Sequence, residues 1–312
     1  MRQRKWSWSV VVVLLLTALA VVLVVAALRG PGTPPTTPIP KGSAFHDPST
    51  VGKGETTKPS DARAADVEPP LVLVDAKTAF RGTTGTCLGG STLERTTDAG
   101  ATWQKVKPPA AEVLSIDAES STVLRVVGAD DSCEAGLWNS VDGGIDFNGP
   151  SPTAGLWFRQ PATNDEIQTA SAVVKNPCPD KDVAVVELEA VSSTDAAVLC
   201  PNGTVKRTED GGEKKWIDAG AVQGEAVALA WLTPEMGWVL QKGVDACPGF
   251  QVLGTTDGGA TWLPRGCVGD AESVAPGSLR PSLSFSDPLI AMASLDGSVF
   301  TTKDGGTTWT LS

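Results

Sequence analysis

Thr255-Thr256-Asp257-Gly258-Gly259-Ala260-Thr261-Trp262 decides the fold, because the chain repeats this pattern five times. It returns as Thr302-Lys303-Asp304-Gly305-Gly306-Thr307-Thr308-Trp309 and as Thr96-Thr97-Asp98-Ala99-Gly100-Ala101-Thr102-Trp103. Two looser copies read Ser140-Val141-Asp142-Gly143-Gly144-Ile145-Asp146-Phe147 and Thr208-Glu209-Asp210-Gly211-Gly212, the latter reaching Trp216 after one extra residue. The central aspartates Asp98, Asp142, Asp210, Asp257 and Asp304 are separated by 44, 68, 47 and 47 residues. Repetition at this period means a radial array of sectors or a solenoid.

The flanking residues identify the unit. In the last copy, short β-branched runs at Leu283–Phe285, Leu289–Ala293 and Ser298–Thr302 precede the turn, and Thr308–Leu311 follows it. Four short strands in ~45 residues make one propeller blade, with the motif on the hairpin between its third and fourth strands. Each aspartate is expected to accept backbone N–H groups of its own turn. Gly100, Gly144, Gly212, Gly259 and Gly306 permit a positive φ there. Trp103, Trp216, Trp262 and Trp309 offer large apolar rings to bury between neighbouring blades. Five copies predict an all-β propeller of five four-stranded blades over 71–312, with 148–182 as a long insertion. A sixth, degenerate blade in that interval is the alternative.

The repeats resemble the Asp-box (BNR) family, a motif shared by bacterial sialidases, sortilin-type receptors and photosystem II assembly factors. The resemblance covers roughly residues 70–312 and implies the propeller, but no single activity, because the motif recurs on proteins with unrelated functions. A sialidase would need a tyrosine nucleophile, and the chain contains no Tyr. An Arg-Ile-Pro signature near the first blade is also absent.

The rest of the chain sets the location. Val10 to Leu28 is uncharged and, at ~1.5 Å per residue, just spans a ~30 Å hydrocarbon layer. Arg2, Arg4 and Lys5 precede it, so residues 1–9 are expected to be cytoplasmic. We expect 10–28 to be a transmembrane signal anchor, 29–70 to be a Pro/Thr/Gly-rich solvated linker, and the remainder to be extracytoplasmic. Cleavage of a signal peptide, releasing a secreted domain, is the alternative. The formal net charge of −11 disfavours nucleic-acid binding.

All six cysteines follow the apolar run, and an even number on the exported side reads as disulfides. Cys87, Cys133, Cys200 and Cys247 precede their aspartates by 11, 9, 10 and 10 residues, which puts them at equivalent turns between second and third strands. Cys178 and Cys267 are expected in the connections between blades, opening on the same face. The expected pairs are Cys87–Cys133, Cys178–Cys200 and Cys247–Cys267, chosen from fifteen possible pairings.

His46, in the linker, is the single histidine, so Ser-His-Asp catalysis and His-ligated zinc are removed from the folded region. Each Asp-Gly-Gly turn brings one carboxylate, whereas calcium takes six to eight oxygens. No catalytic, cofactor or metal residue is assigned. Glu187 and Glu189 alternate on a presumed inner strand, Val183–Val191, and are the carboxylates that could serve a glycan hydrolase. Asp130, Asp131, Glu134, Asp165, Glu166, Asp180 and Asp245, interleaved with Trp157, Phe158 and Phe250, read as an acidic open face. Asn202-Gly203-Thr204 is a formal glycosylation sequon. Two functions remain: a membrane-tethered, noncatalytic binding or assembly module for an envelope protein or glycan, and a glycan-active hydrolase using acidic residues.

Overall fold

The computed structural model describes residues 70–161, 163, 166–179, 185–220, 222, 224–244, 247–269 and 280–312. The expected membrane anchor, nearly all of the linker, His46, Asp165, Asp180 and Asp245 lie outside the described residues. No helix among the described residues is long and apolar enough to cross a membrane.

Six antiparallel sheets follow one another along the chain. Blade 1 holds β1 (Leu71–Leu73), β2 (Ala79–Thr83), β3 (Thr92–Thr96) and β4 (Gln104–Val106). Blade 2 holds β5 (Glu112–Ala118), β6 (Leu124–Ala129), β7 (Ala135–Ser140) and β8 (Asn148–Ser151). Among the described residues blade 3 has three strands, β9 (Phe158–Arg159), β10 (Glu166–Gln168) and β11 (Val173–Lys175). Blade 4 holds β12 (Glu187–Ala190), β13 (Ala196–Leu199), β14 (Val205–Thr208) and β15 (Ile217–Asp218). Blade 5 holds β16 (Glu225–Trp231), β17 (Gly237–Lys242), β18 (Phe250–Thr255) and β19 (Leu263–Val268). Blade 6 holds β20 (Ser282–Phe285), β21 (Ala291–Leu295), β22 (Ser298–Thr302) and β23 (Thr310–Leu311).

The propeller therefore has six blades, and the expectation of five is corrected. The interval 148–182 is not an insertion: it carries the last strand of blade 2 and all of blade 3. Blade 3 escapes the repeat because no Asp-Gly-Gly hairpin follows its last described strand, β11. Its turn between β10 and β11 is capped by the Thr169 hydroxyl, which accepts the N–H groups of Ser171 and Ala172 as Ser192 and Thr233 do in the turns between the first and second strands of blades 4 and 5.

Burial follows radial position. The innermost strand of blade 5, Glu225–Trp231, is buried at every residue after the first, because both of its faces meet neighbouring blades. The outer strands β8 and β23 are exposed throughout. Among the described residues, one buried hydrophobic cluster occupies each gap between successive blades. Phe80 and Leu93 meet Val113 and Leu124 in one gap; Ala197 and Leu199 meet Leu229 and Val239 in another. Between blades 5 and 6, Trp238 stacks on Phe285 with centroids 3.8 Å apart. The ring closes where Leu73 and Ala79 of blade 1 meet Met292 and Val299 of blade 6. Among the described residues no strand is exchanged at that closure. It is held by packing and by the Leu73 N–H donating to Ser284 Oγ at 3.0 Å.

The five hairpins share one geometry. The hydroxyl at the first position (Thr96, Ser140, Thr208, Thr255, Thr302) accepts the N–H of the fifth-position glycine at 2.9–3.2 Å. The same hydroxyl donates to the aspartate at 2.7–2.8 Å. The aspartate in turn accepts backbone N–H groups further along its turn, and Thr102, Thr261 and Thr308 add hydroxyl donors at 2.6–2.7 Å. The fourth-position N–H reaches a carbonyl in the turn between the first and second strands of the same blade, at 2.8–2.9 Å, in all five copies. Thus each hairpin is tied both to itself and to the neighbouring turn of its sheet.

The ring residue of each copy lies half-buried in the gap toward the preceding blade. Phe147 packs with the cluster between blades 1 and 2, and Trp216 with that between blades 3 and 4. Trp262 fills the gap between blades 4 and 5, Trp309 that between 5 and 6, and Trp103 the closing gap. Trp262 also donates its indole N–H to the Ala219 carbonyl of the preceding blade at 2.7 Å. The extra residue before Trp216 does not displace its ring from this role. The gap between blades 2 and 3 has no such ring, because blade 3 lacks the hairpin.

Fourth and fifth positions both need the left-handed region. The fifth-position glycines have φ between 75° and 93°, and the fourth position is Gly in every copy but one. The exception is Ala99, with φ 63°. Gly100 is tighter still, since a Cβ there would sit 2.5 Å from Val299 Cγ1 across the ring closure. Ala99→Gly should therefore stabilise the domain by about 0.5–1 kcal/mol through relief of left-handed strain, partly offset by chain entropy. Gly100→Ala should destabilise it by about 2 kcal/mol or more. Thermal unfolding of the two variants beside the wild type checks both signs.

The hairpin carboxylates titrate low. Donation from the Thr261 hydroxyl, then from its backbone N–H, holds Asp257 at about 2, and Thr308 does the same for Asp304. A folded value below the unfolded one contributes stability that is present above the unfolded pKa and is lost as pH falls toward the folded one. The stability advantage of the wild type over Asp257→Asn or Asp304→Asn should accordingly shrink between about pH 4 and pH 2, as read from melting temperatures across that range.

Candidate functional site

The inner strands β1, β5, β12, β16 and β20, together with β9, surround a central cavity of about 410 Å³. The cavity also reaches Val127 and Leu137 on the second and third strands of blade 2. That extension lies in the one gap without a sealing hairpin ring, so the three-stranded blade shapes the space as well as the count of blades. Its other limits include Ser192 and Leu232, in the turns at the hairpin end of the ring.

Glu187 and Glu189 line this cavity from β12, which is an inner strand as expected from their alternation. Each reaches across to the exposed backbone edge of β16 in the next blade. Glu187 Oε2 accepts the Leu229 N–H at 3.3 Å, and Glu189 accepts the Trp231 N–H. The two carboxylates therefore cap polar groups of an inner strand that has no further strand to pair with. Burial pushes the Glu189 carboxyl up to about 8, against the opposing effect of the Trp231 N–H.

The other charged groups on the wall are already engaged. Arg125 Nε lies 3.1 Å from Asp117 Oδ2. Arg159, although buried, donates to the carbonyls of Val185 at 3.5 Å and Val186 at 2.9 Å. Neither arginine forms an ion pair with Glu187 or Glu189 among the described residues.

At the opposite end of the blades from the hairpins, three disulfides clamp the loops. Cys87 pairs with Cys133 across blades 1 and 2, with Cα atoms 5.2 Å apart. Cys178 pairs with Cys200 at 5.5 Å, joining the entry of blade 4 to its own second turn. Cys247 pairs with Cys267 at 5.8 Å within blade 5. These are the pairs expected from the spacing. Cys267 differs in one respect: it lies inside β19 rather than in a connection, opposite Gln251 in the register.

The supposed open face is only partly assembled. Asp130, Asp131 and Glu134 are exposed on the second turn of blade 2, where Asp130 Oδ1 accepts the N–H groups of Ser132 and Glu134. Glu166 is paired with Lys175 at 3.0 Å. Trp157, Phe158 and Phe250 are corrected from face to core: they are 8, 2 and 4 % exposed. Their apolar area fills inter-blade gaps, so they are not available to a docked surface. Asn202 is exposed, with its Oδ1 accepting the Thr204 N–H at 3.1 Å.

The hairpin aspartates do not form metal cages. Asp304 Oδ1 already accepts the Thr302 hydroxyl and the N–H groups of Thr307 and Thr308, while Oδ2 accepts the Thr308 hydroxyl. The sequence reading missed the first-position hydroxyl as the hub of the turn. The signal was present, since every copy begins with Thr or Ser two residues before Asp.

The raised Glu189 pKa gives a signed test. A folded value near 8 against an unfolded value of 4.5 means that the folded state holds the proton more tightly, so stability is lost as pH rises through that window. Glu189→Gln keeps an acceptor for the Trp231 N–H but cannot ionise. The variant should gain melting temperature relative to the wild type between about pH 5 and pH 9; a constant difference would remove the desolvated carboxyl from the account.

No family model matches the chain, and no curated protein matches it in sequence. Among solved structures, a GH74 enzyme of Niastella koreensis is similar over 78% of this chain and 46% of that one, at 14% identity and a TM-score of 0.44. The chain thus spans less than half the length of that enzyme. YCF48 from Cyanidioschyzon merolae is similar over 79% and 85%, at 14% identity and a TM-score of 0.30. The lectin of Aleuria aurantia, in complex with α-methyl-L-fucoside, is similar over 78% and 94%, at 10% identity and a TM-score of 0.46. What those proteins cut, assemble or bind belongs to them.

Proposed function

We propose that the chain is a noncatalytic binding module that presents the disulfide-clamped end of its propeller to an envelope protein. The observation that carries this reading is the convergence of all three disulfides at one end of the ring, five of their cysteines in loops and Cys267 near the end of β19. Loops fixed before encounter lose less entropy when a partner docks. The exposed carboxylates Asp130, Asp131 and Glu134 project from one of those clamped loops, beside Cys133, and favour a partner with a basic surface. In this reading, Val10–Leu28 anchors the chain in the membrane, the linker 29–70 spaces the propeller from it, and the propeller is extracytoplasmic.

The geometry of Glu187 and Glu189 disfavours the hydrolase alternative. Glycoside hydrolysis places one carboxyl on each side of the scissile bond. Here both carboxylates rise from one strand, on the same side, and both are engaged by backbone N–H groups of blade 5.

In-cell crosslinking followed by mass spectrometry tests the proposal with a triple variant, Asp130→Lys, Asp131→Lys and Glu134→Lys. We expect the partner crosslinked to the wild type to be lost from the variant while the melting temperature is retained. An unchanged set of crosslinks would contradict this face as the binding surface.

A further inference from the structure

We propose that the cavity at the centre of the ring binds a protonated primary amine on an aliphatic stem, held by Glu187 and Glu189. This site lies among the inner strands and is independent of the disulfide-clamped end. The two carboxylates stand two residues apart on β12, and each accepts one backbone N–H. No cationic side chain among the described residues pairs with either of them. Two half-buried acids without a counter-cation, in a space of about 410 Å³, form an electrostatically incomplete pair.

The ligand class follows from what surrounds that pair. Leu71, Leu156, Trp231, Leu232 and Phe285 give an apolar wall suited to an alkyl stem. Trp157, also on the wall and 8 % exposed, has a buried indole N–H without a hydrogen-bond acceptor among the described residues. A divalent metal fits poorly. Among the described residues no cluster of three metal-ligating side chains exists, and calcium takes six to eight oxygens. A primary ammonium needs only acceptors on one side and an apolar sleeve on the other.

Binding is linked to protons. Among the described residues the charged groups facing the cavity are Glu187 and Glu189 on β12, Asp117 on β5, Arg125 on β6 and Arg159 on β9; the stretches of β1, β16 and β20 that line it carry none. Asp117 and Arg125 neutralise each other, and Arg159 is turned to carbonyls. Burial keeps the Glu189 carboxyl protonated until about pH 8, so an ammonium must displace that proton. Affinity should therefore rise by up to about tenfold per pH unit toward pH 8, and fall again once the amine itself deprotonates.

Titration calorimetry of the full chain tests this with cadaverine, with a blocked peptide bearing one lysine, and with pentanol as the neutral control. We expect both amines, or one of them, to bind at about pH 8.5, and the tighter arm to distinguish a free amine from an inserted lysine. Glu187→Gln and Glu189→Gln should each weaken binding by about tenfold, and the double variant should abolish it. If the double variant fails to fold, the single variants carry the same test. The proposal is overturned if neither amine binds, if binding survives both substitutions, or if pentanol binds as tightly as cadaverine.

Discussion

A single hydroxyl sets the geometry on which the molecule depends. At the start of each hairpin, a Thr or Ser oxygen accepts the N–H of a glycine four residues on and donates its own proton to the aspartate between them. That arrangement turns the chain through two consecutive left-handed residues, which L side chains resist. It also fixes where the eighth- or ninth-position ring points. In five gaps, that ring becomes the seal between a blade and its predecessor. Local polar chemistry and inter-blade packing are thus one structural device: the turn aims the ring, and the ring fills the gap.

Among the described residues the ring of blades has no covalent or strand-exchange closure. Among the described residues each sheet is built from a contiguous stretch, and the first and last blades meet through side chains and the Leu73–Ser284 hydrogen bond. The fifth-position glycines make that packing possible. At Gly100 and Gly306 an added Cβ would press on Val299 and Val252 of the preceding blade. Where the hairpin is missing, before blade 3, the gap instead merges with the central cavity. Sealing and openness in this propeller are consequently distributed by the same repeat, and the irregular blade is the one that shapes the candidate site.

The fold was largely legible in the sequence because its defining turn is local and short. Asp, two glycines and an aromatic ring at fixed offsets require no knowledge of distant residues. The cysteine pairs were legible for a related reason: four of them fall at one position of the repeat. Blade 3 was not legible, since the residues after β11, Asn176-Pro177-Cys178, carry no Asp-Gly-Gly turn. Nor was the fate of Trp157, Phe158 and Phe250, whose burial depends on which blades flank them. Glu187 and Glu189 were visible as an alternating pair, yet their role depends on β16 presenting unpaired N–H groups 42 residues away from Glu187. No local pattern reports that contact.

The central claim is that five hydroxyl-centred hairpins hold their glycine amides inside the folded ring. Hydrogen exchange of those amides, measured residue by residue, tests it most directly. The account predicts slow exchange at Gly100, Gly144, Gly212, Gly259 and Gly306, all five protected together by the same first-position oxygen. Exchange at these glycines as fast as in an unfolded chain, while the strands stay protected, would contradict it.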